Sequence, residues 1–308
     1  ITHRWGELEL QDIEAGTDWL LKHAWADRKR VYATGGSYGG YMVAWMNGHI
    51  GPGRYQAYVC HAGCFDWTAM FSDDAYTWHA KELGAWYWEN PATCAWQNRF
   101  YAECVRAHPA RLTACATLHP RGGREATLAE IRRAHDAGMI GLGELSPHSQ
   151  GYGIDDPIFR EVLELAGELK WPVNLHVTDP LSRSYPGRIE TPLDDFVRLA
   201  REFPRVTFIL AHWGGLLPLR PELAGGLSNV FYDTAASPLL YEAGVWRRFL
   251  DVVPEERVLL GSDYPLNLYP KLEAEPEMGR FIAEAKAGGA NGAILGGNAE
   301  LLFKGRFS

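Results

Sequence analysis

Two hydrophobic rhythms divide the chain. Over residues 8 to 25 (LELQDIEAGTDWLLKHAW) apolar residues recur at helical spacing. Residues 31 to 35 (VYATG) form an apolar run of strand length, and YMVAWMNGH, from residue 41, returns to helical spacing. AYVCHAG, residues 57 to 63, predicts a second strand, and residues 65 to 90 predict short aromatic-rich helices and loops. From about residue 93 the pattern becomes a repeated alternation. Strands are predicted at 112 to 118 (LTACATL), 140 to 145 (IGLGEL), 172 to 177 (PVNLHV), 206 to 212 (VTFILAH), 229 to 233 (NVFYD) and 257 to 263 (RVLLGSD). Helical patterns such as TLAEIRRAHDAG, PIFREVLELAGELK, PLDDFVRLAREF and GVWRRFLDVV lie between them. Buried strands alternating with amphipathic helices predict a parallel sheet with right-handed crossovers. Six such units are countable in the sequence, against eight in a closed barrel. No Gly/Ser or Pro-rich linker intervenes, so the change of rhythm alone sets the boundary, giving parts 1–92 and 93–308.

Composition narrows the partners. With 308 residues, 46% of them hydrophobic, the chain has ample material for buried cores. A formal charge of -8 argues against nucleic acid, whose binders carry a basic excess or stripe. No run of eighteen apolar residues occurs, so no membrane span is expected. A small molecule or a peptide is the partner left. Ten of the 12 tryptophans fall at or before Trp171, as pocket lining or core. The five cysteines (Cys60, Cys64, Cys94, Cys104 and Cys115) are odd in number and lack C-x-x-C spacing. Reduced thiols are therefore expected, and with them a cytoplasmic location. The chain opens on Ile1, not Met, so its true start is expected upstream.

The first part holds TGGSYGG, residues 34 to 40. A serine between glycines, after a strand and before a helix, is a nucleophile elbow: the bend lifts the Ser37 hydroxyl toward substrate, and the Tyr38 backbone N–H faces a developing oxyanion. The stretch from WGELELQDIEAGTDWLLKHAW through TGGSYGGYMVAWMNGH and YVCHAGCFDWTAMF to ELGAWYWENP resembles the catalytic domain of the prolyl oligopeptidase family of serine peptidases, especially its acylaminoacyl-peptidase-like members. The resemblance implies an α/β-hydrolase sheet, with the acid and the histidine of the triad arriving later in the chain. It stops near Pro91, before either. His61, Asp66, Asp73, Asp74 and His79 are candidates by residue type only, and the resemblance puts none of them in the triad. Without a base a serine hydroxyl is a poor nucleophile near neutral pH.

The second part offers a different chemistry. Glu144, His176, His212 and Asp263 each stand at the carboxyl end of a predicted strand, the face on which barrels build their sites. Imidazole nitrogens and carboxylates suit a divalent ion, zinc first and manganese as the alternative, and Asp263 fits a proton acceptor from water. The segments GLGELSP, PVNLHVTDP, YPGRIETPL, FPRVTFILAHWGGLLP, NVFYDTAASPLLY, RVLLGSDYP and ILGGNAELLF resemble the amidohydrolase superfamily, in particular its amidohydrolase-related, TatD-like TIM-barrel hydrolases. The resemblance assigns metal roles to His176, His212 and Asp263, with Glu144 matching a fourth-strand glutamate. The superfamily's first-strand H-x-H pair is absent, and the match begins at material of the third strand, which implies an open seam and a weakened metal site. His119 and His148 lie near strand ends, and solvent-exposed loop positions are expected for both. Tyr185, Arg188 and Trp213, in loops after the fifth and sixth strands, are candidate substrate contacts.

The fold class expected is therefore α/β: an incomplete (β/α)8 TIM-like barrel preceded by an α/β-hydrolase fragment, read as a junction of two gene fragments. The leading function is a metal-dependent hydrolase of amidohydrolase type. A serine peptidase using Ser37 and an inactive fusion are the competing readings. A further alternative has the strands of residues 1 to 91 completing the barrel.

Overall fold

A computed structural model describes residues 6–63, 91–182, 188–223 and 227–303. The chain divides into two compact units, Ile1–Tyr87 and Trp88–Ser308.

In the first unit, helix α1 (Glu7–Leu20) precedes strand β1 (Tyr32–Gly36), helix α2 (Tyr38–His49) and strand β2 (Ala57–His61). The two strands run parallel, Tyr32 opposite Ala57 and Gly36 opposite His61. A small core gathers Ala33, Met42, Val43, Met46 and Tyr55. Polar ties fasten α1 to the segment before β2: Arg54 donates to Glu14 at 3.1 Å and to Asp18 at 2.6 Å, and the Tyr55 hydroxyl donates to Glu14 at 2.7 Å. Val59, on β2, is 56% exposed, so this sheet carries apolar surface in the open.

The second unit opens with α3 (Pro91–Ala107) and continues through β3 (Cys115–Ala116), α4 (Arg124–Asp136), β4 (Gly141–Leu145) and α5 (Pro157–Glu168). It goes on through β5 (Val173–Leu175), α6 (Leu193–Glu202), β6 (Phe208–Leu210) and β7 (Val230–Asp233), and ends with α7 (Val245–Leu250), β8 (Val258–Leu259) and α8 (Met278–Ala287). Local sequence starts these helices as expected. Pro157 takes the first turn of α5, where its missing N–H costs nothing, and the Asp156 side chain caps the Ile158 and Phe159 amides at 2.9 Å. In α6, Leu193, Phe196, Val197, Leu199 and Ala200 are buried at helical spacing while Asp194 and Arg201 stay out.

The strands form one parallel sheet in the order β3-β4-β5-β6-β7-β8. Sequential order in a parallel sheet is the barrel rule, and among the described residues six of the barrel's strands are present, running open from β3 to β8, with short turns in place of a long helix between β6 and β7. The core between sheet and helices includes Leu142, Phe159, Trp171, Val173, Phe208 and Trp246, all at most 1% exposed. Beside β3, Asn98 of α3 does the work of a neighbouring strand. Its side-chain amide accepts from the Thr117 N–H at 2.8 Å and donates to the Thr117 carbonyl at 2.9 Å.

Two expectations change. β1 and β2 pair with each other in a sheet separate from that of β3 to β8, so among the described residues they add no strand to the barrel sheet. The predicted strands also ran long at their carboxyl ends. Ladder pairing stops at Leu175, Leu210 and Leu259, and the apolar runs continue into the loops that carry His176, His212 and Asp263. No described helix is long and apolar enough to cross a membrane. Among the described residues Cys60, Cys94, Cys104 and Cys115 are free thiols.

Candidate metal centre

The elbow is formed. Ser37 takes φ 56 and ψ -124 between β1 and α2, and its N–H donates to the His61 carbonyl at 3.0 Å. A Cβ at Gly35 would lie 2.2 Å from the Gly39 carbonyl oxygen, and one at Gly40 would lie 2.6 Å from that of His61. Glycine at those two places lets strand, turn and helix close on one another. Tyr38 begins α2, which puts its amide at the positive end of the helix, while its phenol donates to Glu9. Among the described residues no imidazole or carboxylate hydrogen-bonds the exposed Ser37 side chain. His61 serves the turn through its backbone. Asp66, Asp73, Asp74 and His79 lie outside the described residues.

In the barrel unit, three of the predicted residues come together. Glu144 is on β4, His176 follows β5 by one residue and His212 follows β6 by two. His176 Nδ1 is 2.6 Å from Glu144 Oε1, His212 Nε2 is 3.2 Å from His176 Nδ1, and His212 Nε2 is 3.8 Å from Glu144 Oε1. The Ala235 carbonyl accepts from His212 Nδ1 at 2.9 Å. A carbonyl only accepts, so Nδ1 carries a hydrogen and Nε2 is the nitrogen that faces the cluster. The Thr178 hydroxyl lies 3.3 Å from the other nitrogen of His176. Three atoms of acceptor type thus converge, and a proton or a cation must lie among them. Ligand atoms about 2.0–2.2 Å from a tetrahedral zinc lie about 3.3–3.6 Å from one another, a spacing that the observed 2.6, 3.2 and 3.8 Å bracket. Glu144, His176 and His212 form a group able to hold a metal ion.

Charge and burial oppose each other here. Burial pushes Glu144 up, but its hydrogen bond to His176 and the charges of His176 and His212 bring it below the ordinary carboxylate value. A third of its side chain (33%) is open to solvent, yet protein surrounds the rest closely enough for desolvation to lead. Burial lowers His176, and the Glu144 hydrogen bond and charge, with Asp263 and Asp233 behind, raise it above an ordinary imidazole. Asp263 is raised by burial, against the pull of His212. It stands apart from the three-residue group but lines the same cavity.

That cavity, about 700 Å³, has His176, His212 and Asp263 in its lining and an apolar wall from the loops after β7 and β8, including Pro238, Leu239, Leu240, Leu266, Leu268 and Leu272. One residue that did not stand out in the sequence belongs to the site's support. Asp233, the last residue of β7, is 7% exposed; its Oδ1 accepts from the Ala235 N–H at 2.9 Å and the His212 N–H at 3.2 Å. Burial, and then the charge of Glu144, push its carboxyl up to about 6. The signal was available: a carboxylate at the carboxyl end of a predicted strand, the placement that singled out Glu144.

His212 also begins an unusual stretch of backbone. His212, Trp213, Gly214, Gly215 and Leu216 have φ of 56, 60, 57, 60 and 59. Left-handed backbone costs a non-glycine L-residue roughly 1–2 kcal/mol, so the three non-glycine positions of this turn must be held by their surroundings.

The other predicted contacts fall elsewhere. Trp213 is a core residue, 0% exposed, packed edge-on against Trp246 and Phe249 with its indole N–H donating to Ser237 Oγ at 2.9 Å; the large ring fills the barrel layer instead of facing the cavity. Arg188 donates to the Asp179 carbonyl at 2.9 Å and braces the loop. Tyr185 lies outside the described residues. His119 and His148 are not solvent-exposed loop residues. His119 is 2% exposed, accepting from the Arg121 N–H at 3.2 Å and lying 3.1 Å from the Gln150 carbonyl, and His148 pairs with Asp195 at 2.9 Å.

A parallel β/α barrel sheet with a metal-competent cluster at its strand ends defines the class of protein. The amidohydrolase family profile matches residues 67–305, the larger part of the chain, and the chain belongs to that family. The prolyl oligopeptidase family profile matches residues 1–122, overlapping the first over 67–122. Among curated proteins, the dipeptidyl-peptidase 5 of Schizosaccharomyces pombe is 34% identical over 88 residues, 28% of this chain and 13% of that protein. That of Porphyromonas gingivalis is 31% identical over 103 residues, 33% of this chain and 15% of that protein. The match therefore spans a small fraction of those relatives. Among solved structures, 5-carboxyvanillate decarboxylase from Sphingomonas paucimobilis superposes with TM-score 0.53 at 16% identity, over 90% of this chain and 99% of that one. The IDCase of Metarhizium anisopliae gives 0.53 at 17%, over 70% and 71%. At these identities the likeness is one of fold.

Proposed function

We propose that residues 93–308 act as a metal-dependent hydrolase, with a divalent ion, zinc, held by Glu144, His176 and His212. The observation that carries this reading is the convergence of three acceptor atoms beside an apolar cavity at the strand ends. Two imidazoles and one carboxylate are a sufficient donor set for a catalytic zinc, which takes three protein ligands and keeps a position open. The missing H-x-H pair is then not required for one ion. When bound, such an ion polarises a carbonyl or phosphoryl oxygen and acidifies water. Asp263, raised above the ordinary carboxylate value and lining the same cavity as His176 and His212, would accept a proton from water and return it to the leaving group. The leucine and proline walls hold the apolar body of a small molecule and keep bulk water off the reacting centre. Metal analysis of the purified chain, with an ester and amide panel before and after chelation, tests the reading. The expected result is stoichiometric metal and activity lost on chelation and restored by zinc; activity that persists in metal-free protein overturns it.

A second reading rests on the elbow. Its backbone strain and glycine packing are complete, which supports Ser37 as an acyl acceptor of peptidase type, with the Tyr38 amide at the oxyanion. Labelling by a fluorophosphonate that disappears in Ser37→Ala is its requirement, and an unlabelled wild-type chain removes it.

A further inference from the structure

We infer that Asp233 is a positioning residue for His212, setting the geometry of the metal site through backbone hydrogen bonds without touching substrate. The inference rests on the proposed zinc reading and concerns how the ligand is held. His212 opens the left-handed turn that runs to Leu216, so its backbone conformation must be imposed from outside. Within the turn, the Gly215 N–H donates to the His212 carbonyl at 3.1 Å and the Leu216 N–H to that of Trp213 at 3.0 Å. From the core side, Trp213 anchors the turn through its buried indole and Ser237. The side facing β7 is held by Asp233.

One carboxylate oxygen there serves two amides. Oδ1 accepts from the N–H of His212, the residue that bears the ligand, and from the N–H of Ala235, whose carbonyl accepts from His212 Nδ1. Both points from which the imidazole hangs are therefore referred to the same atom. Displacing that atom shifts the ring at its Cα and at its Nδ1 together, and with it the direction of the Nε2 lone pair. The second oxygen, Oδ2, faces Asn174 Nδ2 at 3.4 Å. Asp233 is absent from the lining of the cavity and 7% exposed, so neither oxygen is offered to substrate. Partners that orient a metal ligand typically govern affinity by about 10–100-fold.

The role depends on an acceptor at Oδ1, which sets the test. Zinc affinity of the full chain is measured by competition with a chromogenic chelator for wild type, His212→Ala, Asp233→Asn and Asp233→Ala, alongside thermal melting of each metal-free protein. Asparagine keeps an acceptor oxygen and loses the charge, so Asp233→Asn should bind zinc within about threefold of wild type. Asp233→Ala should bind about 10–100-fold more weakly while still melting cooperatively. If Asp233→Ala does not fold, Asp233→Ser, too short to reach both amides, takes its place with the same expectation. Equal affinity for Asp233→Ala and wild type overturns the inference. So does an Asp233→Asn as weak as Asp233→Ala, which assigns the effect to charge. A wild-type chain that binds zinc no better than His212→Ala overturns instead the metal reading on which the inference stands.

Discussion

The turn around Ser37 and the cluster of Glu144, His176 and His212 are assembled in opposite ways. The turn is local: Gly35 closes on Gly39, Gly40 closes on His61, and the strand and helix on either side complete it. The cluster joins residues 32 and 36 positions apart, brought together only when β4, β5 and β6 pair in register. A local motif keeps its shape in a fragment of its fold, yet the shape is not the chemistry. Ser37 needs a base and an acid that belong to distant elements, and among the described residues it has neither. The barrel site depends on distant elements too, but the strands that carry it are the ones present.

Removing a proposed ligand of the barrel cluster should break the comparison most severely. His212→Ala should lower zinc affinity by more than the about 10–100-fold expected for loss of a ligand's partner, read by chelator competition, while Ser37→Ala leaves it unchanged. Next in size is Trp213→Ala, which empties a fully buried site and should cost about 3–5 kcal/mol in a denaturant titration. Trp213→Phe, which keeps one ring of the packing but loses the bond to Ser237, should cost distinctly less. In the first unit, Gly35→Ala puts a methyl 2.2 Å from the Gly39 oxygen and should destabilise the elbow by about 1–3 kcal/mol. Gly36→Ala meets nothing closer than 3.7 Å and should be tolerated, and limited proteolysis of the whole chain separates the two.

A further effect is a pH dependence. Asp233 is held at about 6, against an ordinary value of 3.8. Between those values the folded metal-free chain keeps a proton that the unfolded chain has released, so this group's contribution to stability falls as pH rises through the window. Asp233→Asn does not titrate, and its stability relative to wild type should therefore climb from about pH 4 to above pH 6, by on the order of 1–3 kcal/mol. Paired denaturation curves on either side of the window check the sign, and a difference that stays flat or runs the other way removes the claim.

Much of this was legible along the chain. Helical periodicity located α5 and α6 to within about two residues, because their buried faces repeat at 3.6 and Asp156 and Pro192 mark their starts. Apolar runs located every strand from β3 to β8. The strand ends were blurred because a run such as VTFILAH stays apolar after ladder pairing stops at Leu210; the residues beyond it are buried in a left-handed turn, and hydrophobicity is the same in both. The same blindness put Trp213 in a substrate loop. Position after a strand is visible in sequence, whereas the direction of a side chain on strained backbone is not. Glu144, His176 and His212 stood out by residue type and strand-end placement. Asp233 had the same placement, but its role lies in which amides it accepts from, and that depends on the fold of His212 and Ala235.

Asn98 bears on how the molecule behaves in company. Thr117, just past the edge strand β3, already has both its backbone donor and its acceptor engaged by one side-chain amide. An incoming strand, from another copy or from a nascent chain, would have to displace that amide before pairing there, with no unsatisfied backbone at Thr117 to reward it. Among the described residues, the β3 side of the sheet is thereby a poorer template for strand growth at this position, because one helix residue already satisfies the backbone there.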